Sequence, residues 1–228
     1  MSKFVLWGHS LDDYREMFDL SESDLNGRLL EVGGGPTTFN ADMQARGANV
    51  ISCDDMFAYP IEKMKAVSRA VFDDTLSHAE ADPSSYNWQR FGSLEELAKA
   101  REQGLTRFFE DFEPGTLAGR YVTAEFPSLP FKDFQFDLAL CAHHLFVSGE
   151  KHETDFHVNS ILEMARVAHE VRIFPLSDRL GRVSDRLGPV MLALQQNNLG
   201  VEVRQVDYSL QVNGNAMLRV WAHECVVD

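Results

Sequence analysis

Cysteine is scarce: Cys53, Cys141 and Cys225 are the only three in 228 residues, far apart and odd in number. With no Cys-x-x-Cys pair among them, they argue against a disulfide framework or a thiolate zinc site, and reduced thiols fit a cytoplasmic protein. Basic charge is short too. Lys and Arg number 21 against 35 Asp and Glu, a net charge of −14, which repels phosphate backbones and anionic lipid and favours a small-molecule partner over nucleic acid or membrane. No apolar run approaches the roughly eighteen residues of a spanning helix, and Met1 to Ser10 lacks the pattern of a signal peptide. Internal repeats, low-complexity tracts and Gly/Ser linkers are also missing. The remaining composition, 44% hydrophobic and 25% charged, is that of a globular chain, read here as one α/β domain over residues 1–228.

Short apolar runs alternate with helix-like stretches. Residues 28–33, 48–54, 119–126, 136–142, 169–176, 201–208 and 216–223 read as strands. Seven strands mostly separated by helical segments predict a doubly wound, mostly parallel, Rossmann-like sheet covered on both faces. Between Gly35 and Ala48, "PTTFNADMQARG" reads as a short helix. Leu11, Tyr14, Met17 and Phe18 recur at helical spacing near the start. The chain after the second strand is longer than one crossover helix needs. It predicts a helical insert at about 60–118, which contains "SLEELAKAREQGLTRFFEDF" with Ser93 and Glu96 at capping-box spacing. Phe57, Tyr59, Tyr86, Trp88 and Phe91 are expected to cover apolar surface there, as an extra layer or lid.

The densest chemical signal is "LLEVGGGPTTF" at 29–39: a strand, an acid, three glycines, then a helix. A glycine-rich turn between a parallel strand and a helix is where such sheets bind nucleotides, because the ligand can touch backbone. The G-x-G-x-x-G fingerprint of dinucleotide folds is only partly met, since Thr38 stands at its third glycine. Glu31 is placed to hold an ammonium group, directly or through water. Asp54 closes the second strand, where an acid receives two ribose hydroxyls, and Asp55 is its nearest competitor.

With these motifs, "EVGGGPTTF", "ISCDD", "AEFPSLPFKDFQFDLALCAHHLF" and "EMARVAHEVRIFPL", most of the chain resembles the class I S-adenosylmethionine-dependent methyltransferases, and looks like an uncharacterised bacterial branch of them. The resemblance implies S-adenosyl-L-methionine as cofactor. It places Gly33, Gly34 and Gly35 along the methionine part, Asp54 on the ribose, and Glu125 with the backbone of Phe126 at the adenine. Cys141 and Ala142 would close the pocket near the methyl group, and Tyr14 and Trp7 of an N-terminal helix would cover it. Two departures from the family pattern are Thr37 at its last glycine and Glu125 for the more usual Asp. His143 and His144 in "CAHHLF" are the candidate bases, since imidazole titrates near neutrality and a base is needed only when the acceptor must lose a proton.

Two other functions stay open: a nicotinamide-dependent oxidoreductase on a similar sheet, and a non-catalytic S-adenosylmethionine-binding sensor or partner protein. "YPIEK" has the Tyr-x-x-x-Lys spacing of short-chain dehydrogenases but falls too early in the fold. "HETDFH" lacks the His-Glu-x-x-His spacing of a zinc helix, so no metal is expected.

Overall fold

Every residue of β1 (Leu29–Val32) is buried, as a strand covered on both faces requires. It lies in a computed structural model that describes residues 8–147, 153–178 and 181–222; Trp7, His152 and Cys225 fall outside the described residues. The other strands are β2 (Val50–Asp54), β3 (Tyr121–Thr123), β4 (Phe136–Ala142), β5 (Ala168–Phe174), β6 (Leu199–Gln205) and β7 (Ala216–Ala222). They form one sheet in the order β3-β2-β1-β4-β5-β7-β6. β1 is bonded in parallel to both β2 and β4, so the strand order reverses at β1, the position where open α/β sheets leave a crevice at the strands' carboxyl ends.

The expected mostly parallel sheet needs one correction. β7 runs antiparallel to both of its neighbours, β5 and β6, because the ten residues between β6 and β7 hold no crossover helix and only turn the chain back. β3 is also shorter than the run 119–126, since only Tyr121 to Thr123 find partners on β2.

Alternation along the strands sends side chains to two cores. Leu29, Leu138 and Leu140 meet Tyr14, Met17 and Phe18 of α1 (Leu11–Phe18) and Phe39 and Met43 of α3 (Phe39–Ala45). Leu30, Ala139 and Cys141 meet Ile161 and Met164 of α6 (Thr154–Val167) and Val190 and Leu194 of α7 (Leu187–Gln196). α2 is a single turn, Glu22–Leu25. α1 begins in a capping box: the Ser10 hydroxyl accepts from the Asp13 N–H at 3.3 Å, and the Asp13 carboxylate accepts from the Ser10 N–H at 2.9 Å. α3 starts only at Phe39, three residues later than the sequence reading, because the backbone around Pro36 belongs to the glycine turn.

Between β2 and β3 lie α4 (Ile61–Ala81) and α5 (Leu94–Leu117), which pack on each other. The Ser93 hydroxyl caps α5 by accepting from the Glu96 N–H at 3.2 Å. α5 passes through Pro114; the carbonyl this strips of its helical donor belongs to Glu110, on an exposed turn where water can serve it. Phe57 packs with Phe108, Phe112 and Tyr121, while Tyr86, Trp88 and Phe91 lean on the α1 side of the sheet. Tyr59 covers nothing of the kind. It is 37% exposed, with Lys63 Nζ 3.6 Å from its ring centre, an ordinary cation–π pair that accounts for the Tyr and the Lys of "YPIEK".

Candidate functional site

At the crevice beside β1, a cavity of about 220 Å³ is lined by Val32, Gly33, Cys53, Asp54, Asp55, Ala124, Glu125, Phe126, His144 and Phe156. Of the residues singled out in the sequence, it gathers Gly33, Asp54, Asp55, Glu125, Phe126 and His144. Val32, the last residue of β1, and Cys53, the last but one of β2, join them from strand ends that the strand reading could have found. Phe156 comes from α6, across the fold, and nothing local in the sequence marks it.

Asp54 is 7% exposed at the cavity wall. Its carboxylate accepts from the Gly35 N–H at 3.0 Å and from the Met56 N–H at 2.8 Å, which fixes its orientation and ties the glycine turn to the end of β2. Gly33 adopts φ +70°. A Cβ there would lie 2.7 Å from Cγ of His144, and one at Gly34 would lie 2.5 Å from Oε1 of Glu31 and 2.8 Å from the Tyr14 hydroxyl. What approaches these two glycines closely is therefore the protein's own side chains. Gly33 alone of the three glycines also borders the cavity.

Glu31 points beneath the turn. It is 2% exposed, and its carboxylate accepts from the hydroxyls of Tyr14, Ser52 and Thr37, the last at 2.7 Å. Burial pushes its carboxyl up, against the pull of the three donors. The carboxylate expected to hold an ammonium group, directly or through water, is engaged by three hydroxyls and braces the turn from below. Tyr14 stacks on Phe39 with ring centres 4.4 Å apart, so α1 clamps the turn without lining the cavity. Cys141 and Ala142 likewise stand behind the site, buried in opposite cores; burial pushes the Cys141 thiol up to about 12, which keeps it protonated.

A second group of polar residues sits behind α1, and no sequence motif announces it. Asp13, 3% exposed, holds the fully buried Arg101 guanidinium of α5 and meets Arg90 at 3.0 Å. Arg101 also donates to the Tyr208 hydroxyl at 2.9 Å and to the Gly8 carbonyl at 3.3 Å. Next to this pair His9 stacks on His143, ring centres 4.6 Å apart and 6° from parallel. Burial, then the Arg101 charge, lowers His9 to about 4, and burial followed by His9 and Arg101 holds His143 well below the usual histidine range.

This lowered value makes His9 a source of acid sensitivity in the fold. The unfolded chain takes up a proton near pH 6.5 and the folded chain only near 4, so its contribution is complete above pH 6.5 and is lost as pH falls through that window. We expect roughly 3 kcal/mol less stability from this residue at pH 4 than at pH 7. Urea unfolding at both pH values tests it: His9→Phe is expected to flatten the pH slope, and a slope equal to that of the unsubstituted protein rejects the assignment.

Among the described residues no group of three or more His, Cys, Asp or Glu could hold a metal ion. Both ring nitrogens of His157 face carbonyls, those of Glu153 at 3.0 Å and Leu145 at 2.8 Å, and the N–H of either neutral tautomer donates to one of them. No helix among them is long and apolar enough to cross a membrane.

The strand order, its reversal at β1 and the glycine turn beside the cavity define a Rossmann-like α/β fold with a crevice at the carboxyl ends of its central strands. No protein-family model matches the chain. It is 28% identical over 215 residues to an uncharacterised protein, MJ0045, of the archaeon Methanocaldococcus jannaschii, covering 94% of both chains; an archaeal relative lends nothing to the expected bacterial branch. In fold it is similar to the magnesium protoporphyrin IX methyltransferase of Synechocystis, solved with bound SAM and with SAH, at 12% identity, TM-score 0.47, 89% of this chain and 73% and 77% of those. It is also similar to a SAM-dependent methyltransferase from Aquifex aeolicus, at 16% identity, TM-score 0.41 and 92% of each chain. Scores of this size leave the function to be argued from this chain's own residues.

Proposed function

We propose that the protein is a methyltransferase that binds S-adenosyl-L-methionine in the cavity beside β1 and transfers its methyl group to a small molecule. The observation that carries this reading is the joint placement of Gly33, Asp54, Asp55, Glu125 and Phe126 on one cavity at the point where the strand order reverses. In it, Asp54, with Asp55 beside it, receives the ribose hydroxyls, Glu125 and Phe126 meet the adenine, and the turn Gly33 to Gly35 takes the methionine part. Tyr14 and Glu31 hold that turn in shape, and Cys141 and Ala142 back it from β4. S-adenosylmethionine supplies an already activated methyl group, so the chain's own task is alignment and exclusion of water, with His143 or His144 taking a proton where the acceptor must lose one. We treat residues 1–228 as one domain, with 60–118 as its helical insert, and place it in the cytoplasm, where buried Cys53 and Cys141 stay reduced.

The rival readings are weaker on physical grounds. A dinucleotide sheet repeats its parallel mononucleotide half in the order 3-2-1-4-5-6, whereas here antiparallel β7 interrupts that half and Thr38 replaces the third glycine. A sensor has no need of an acceptor space, yet a separate cavity opens beside His143.

Titration calorimetry with S-adenosylmethionine, S-adenosylhomocysteine, NADH and NADPH is the deciding experiment. Binding of the two sulfur nucleotides alone is expected; a well-folded protein that binds neither would end the proposal. Asp54→Ala is expected to cost roughly 1.5–3 kcal/mol of cofactor affinity through lost charge-assisted hydrogen bonds. Asp54→Asn, which keeps the shape, separates loss of charge from loss of the turn's anchor. Unchanged affinity in both folded variants removes Asp54 from the site.

A further inference from the structure

The adjacent histidines of "CAHHLF" border different spaces. His144 lines the cavity beside Gly33, while His143 lines a second one of about 110 Å³, walled chiefly by Tyr86, Val147, Phe174, Tyr208 and Leu210. His143 adopts φ +52° and its N–H donates to the Phe174 carbonyl at 2.6 Å, so the chain reverses its local twist between the two imidazoles. One face of the His143 ring is occupied by His9, and the edge of Phe174 approaches at 5.6 Å. Its Nε2 is buried without a hydrogen-bond partner, an arrangement that folded proteins rarely leave unrelieved.

We propose that this second cavity binds an uncharged single-ring aromatic compound bearing a hydroxyl group, with its O–H donating to the His143 imidazole. Size limits the occupant to one ring, since an apolar cavity of ~150 Å³ takes a benzene molecule. Three aromatic side chains in its lining, Tyr86, Phe174 and Tyr208, favour a flat partner through stacked and edge-on contacts. Charge is disfavoured in both senses. No Lys or Arg lines the space to pair a carboxylate, and its two titratable rim residues are already engaged, Asp82 by the Ser84 and Ser85 hydroxyls and His78 by the Asp74 carbonyl, so an uncharged occupant is favoured. Burial beside Arg101 holds the His143 imidazole neutral at pH 7, leaving one ring nitrogen as an acceptor. As a binding site the cavity stands on this geometry; as the acceptor end of methyl transfer it rests on the function proposed above.

The test is calorimetry at pH 7 on the whole protein with phenol, toluene and benzoate, in the absence of methyl donor, with thermal melts to check folding. Phenol is expected to bind at least about tenfold more tightly than toluene, the worth of one hydrogen bond to an unfilled acceptor, and benzoate not to bind. His143→Phe is expected to keep toluene binding but to shrink the phenol preference below threefold. Val147→Trp is expected to abolish both by filling the space. Phenol that does not bind the folded protein, equal binding of phenol and toluene, or a phenol preference that survives His143→Phe each overturn the proposal. A parallel titration with S-adenosylmethionine separates the two readings. Phenol binding without it leaves this site standing and removes the methyl-transfer reading, and the converse result does the reverse.

Discussion

Arg101→Ala is expected to destabilise the fold by roughly 3–5 kcal/mol, the usual cost of removing one partner from a buried ion pair. Arg101 is 2% exposed, and Asp13 beside it is 3% exposed. Its loss leaves the Asp13 carboxylate, which burial raises but the neighbouring Arg101 charge holds well below the usual range, with Arg90 3.0 Å away, the Ser10 N–H and the largely neutral His9 ring 3.6 Å away. The truncation also empties the space of a large side chain between α1 and α5 and frees the Tyr208 hydroxyl, so packing and charge losses add. Arg101→Met separates them by restoring most of the volume without the charge. In the double variant Asp13→Ala/Arg101→Met the loss is expected to be smaller than the sum of the two single losses, because no unpaired buried charge remains. Denaturant midpoints measure all of this. A folded Arg101→Ala protein within 1 kcal/mol of the original contradicts the claim that this pair fastens α1 to the insert.

Gly33→Val is expected to weaken S-adenosylmethionine binding by at least about a hundredfold, which is close to 3 kcal/mol. Two costs coincide at this position. The backbone sits at φ +70°, where a β-branched residue is strained by roughly 1–2 kcal/mol, and the new Cβ would meet the His144 ring at 2.7 Å. Because Gly33 borders the cavity, whatever shifts to relieve the collision also narrows the ligand's space. A double variant, Gly33→Val/His144→Ala, separates the causes. If affinity returns, the glycine is there for His144; if it does not, the ligand itself needs the bare backbone. A folded single variant that binds within threefold of the original would remove the glycine turn from the site.

Much of the architecture was legible along the chain. Apolar runs of strand length end where β1, β2 and β4 end, and the helical period of Leu11, Tyr14, Met17 and Phe18 is that of a helix with one buried face. The glycine turn and the acid closing β2 were legible for the same reason. Positive φ and an acid at a strand's end are requirements of a few consecutive residues, and consecutive residues can state them.

The tertiary structure alone decided the rest. Glu31 braces the glycine turn because Tyr14, seventeen positions earlier, and Ser52, twenty-one later, bring hydroxyls to it. Asp13 and Arg101 lie 88 positions apart in the sequence, and neither gives a sign of burial by itself. A lone charged residue predicts exposure, and only when folding brings its partner within bonding distance does burying the charge become tolerable. His143 and His144 read as equivalent until the backbone at His143 turned left-handed and sent each to its own cavity. The sequence by itself marked most of the strands and helices and the tight glycine turn after β1, because these follow from periods of two and 3.6 residues and from local sterics. Which charges are buried, which way β7 runs and which space each histidine faces depend on contacts between distant segments, and no local pattern carries that information.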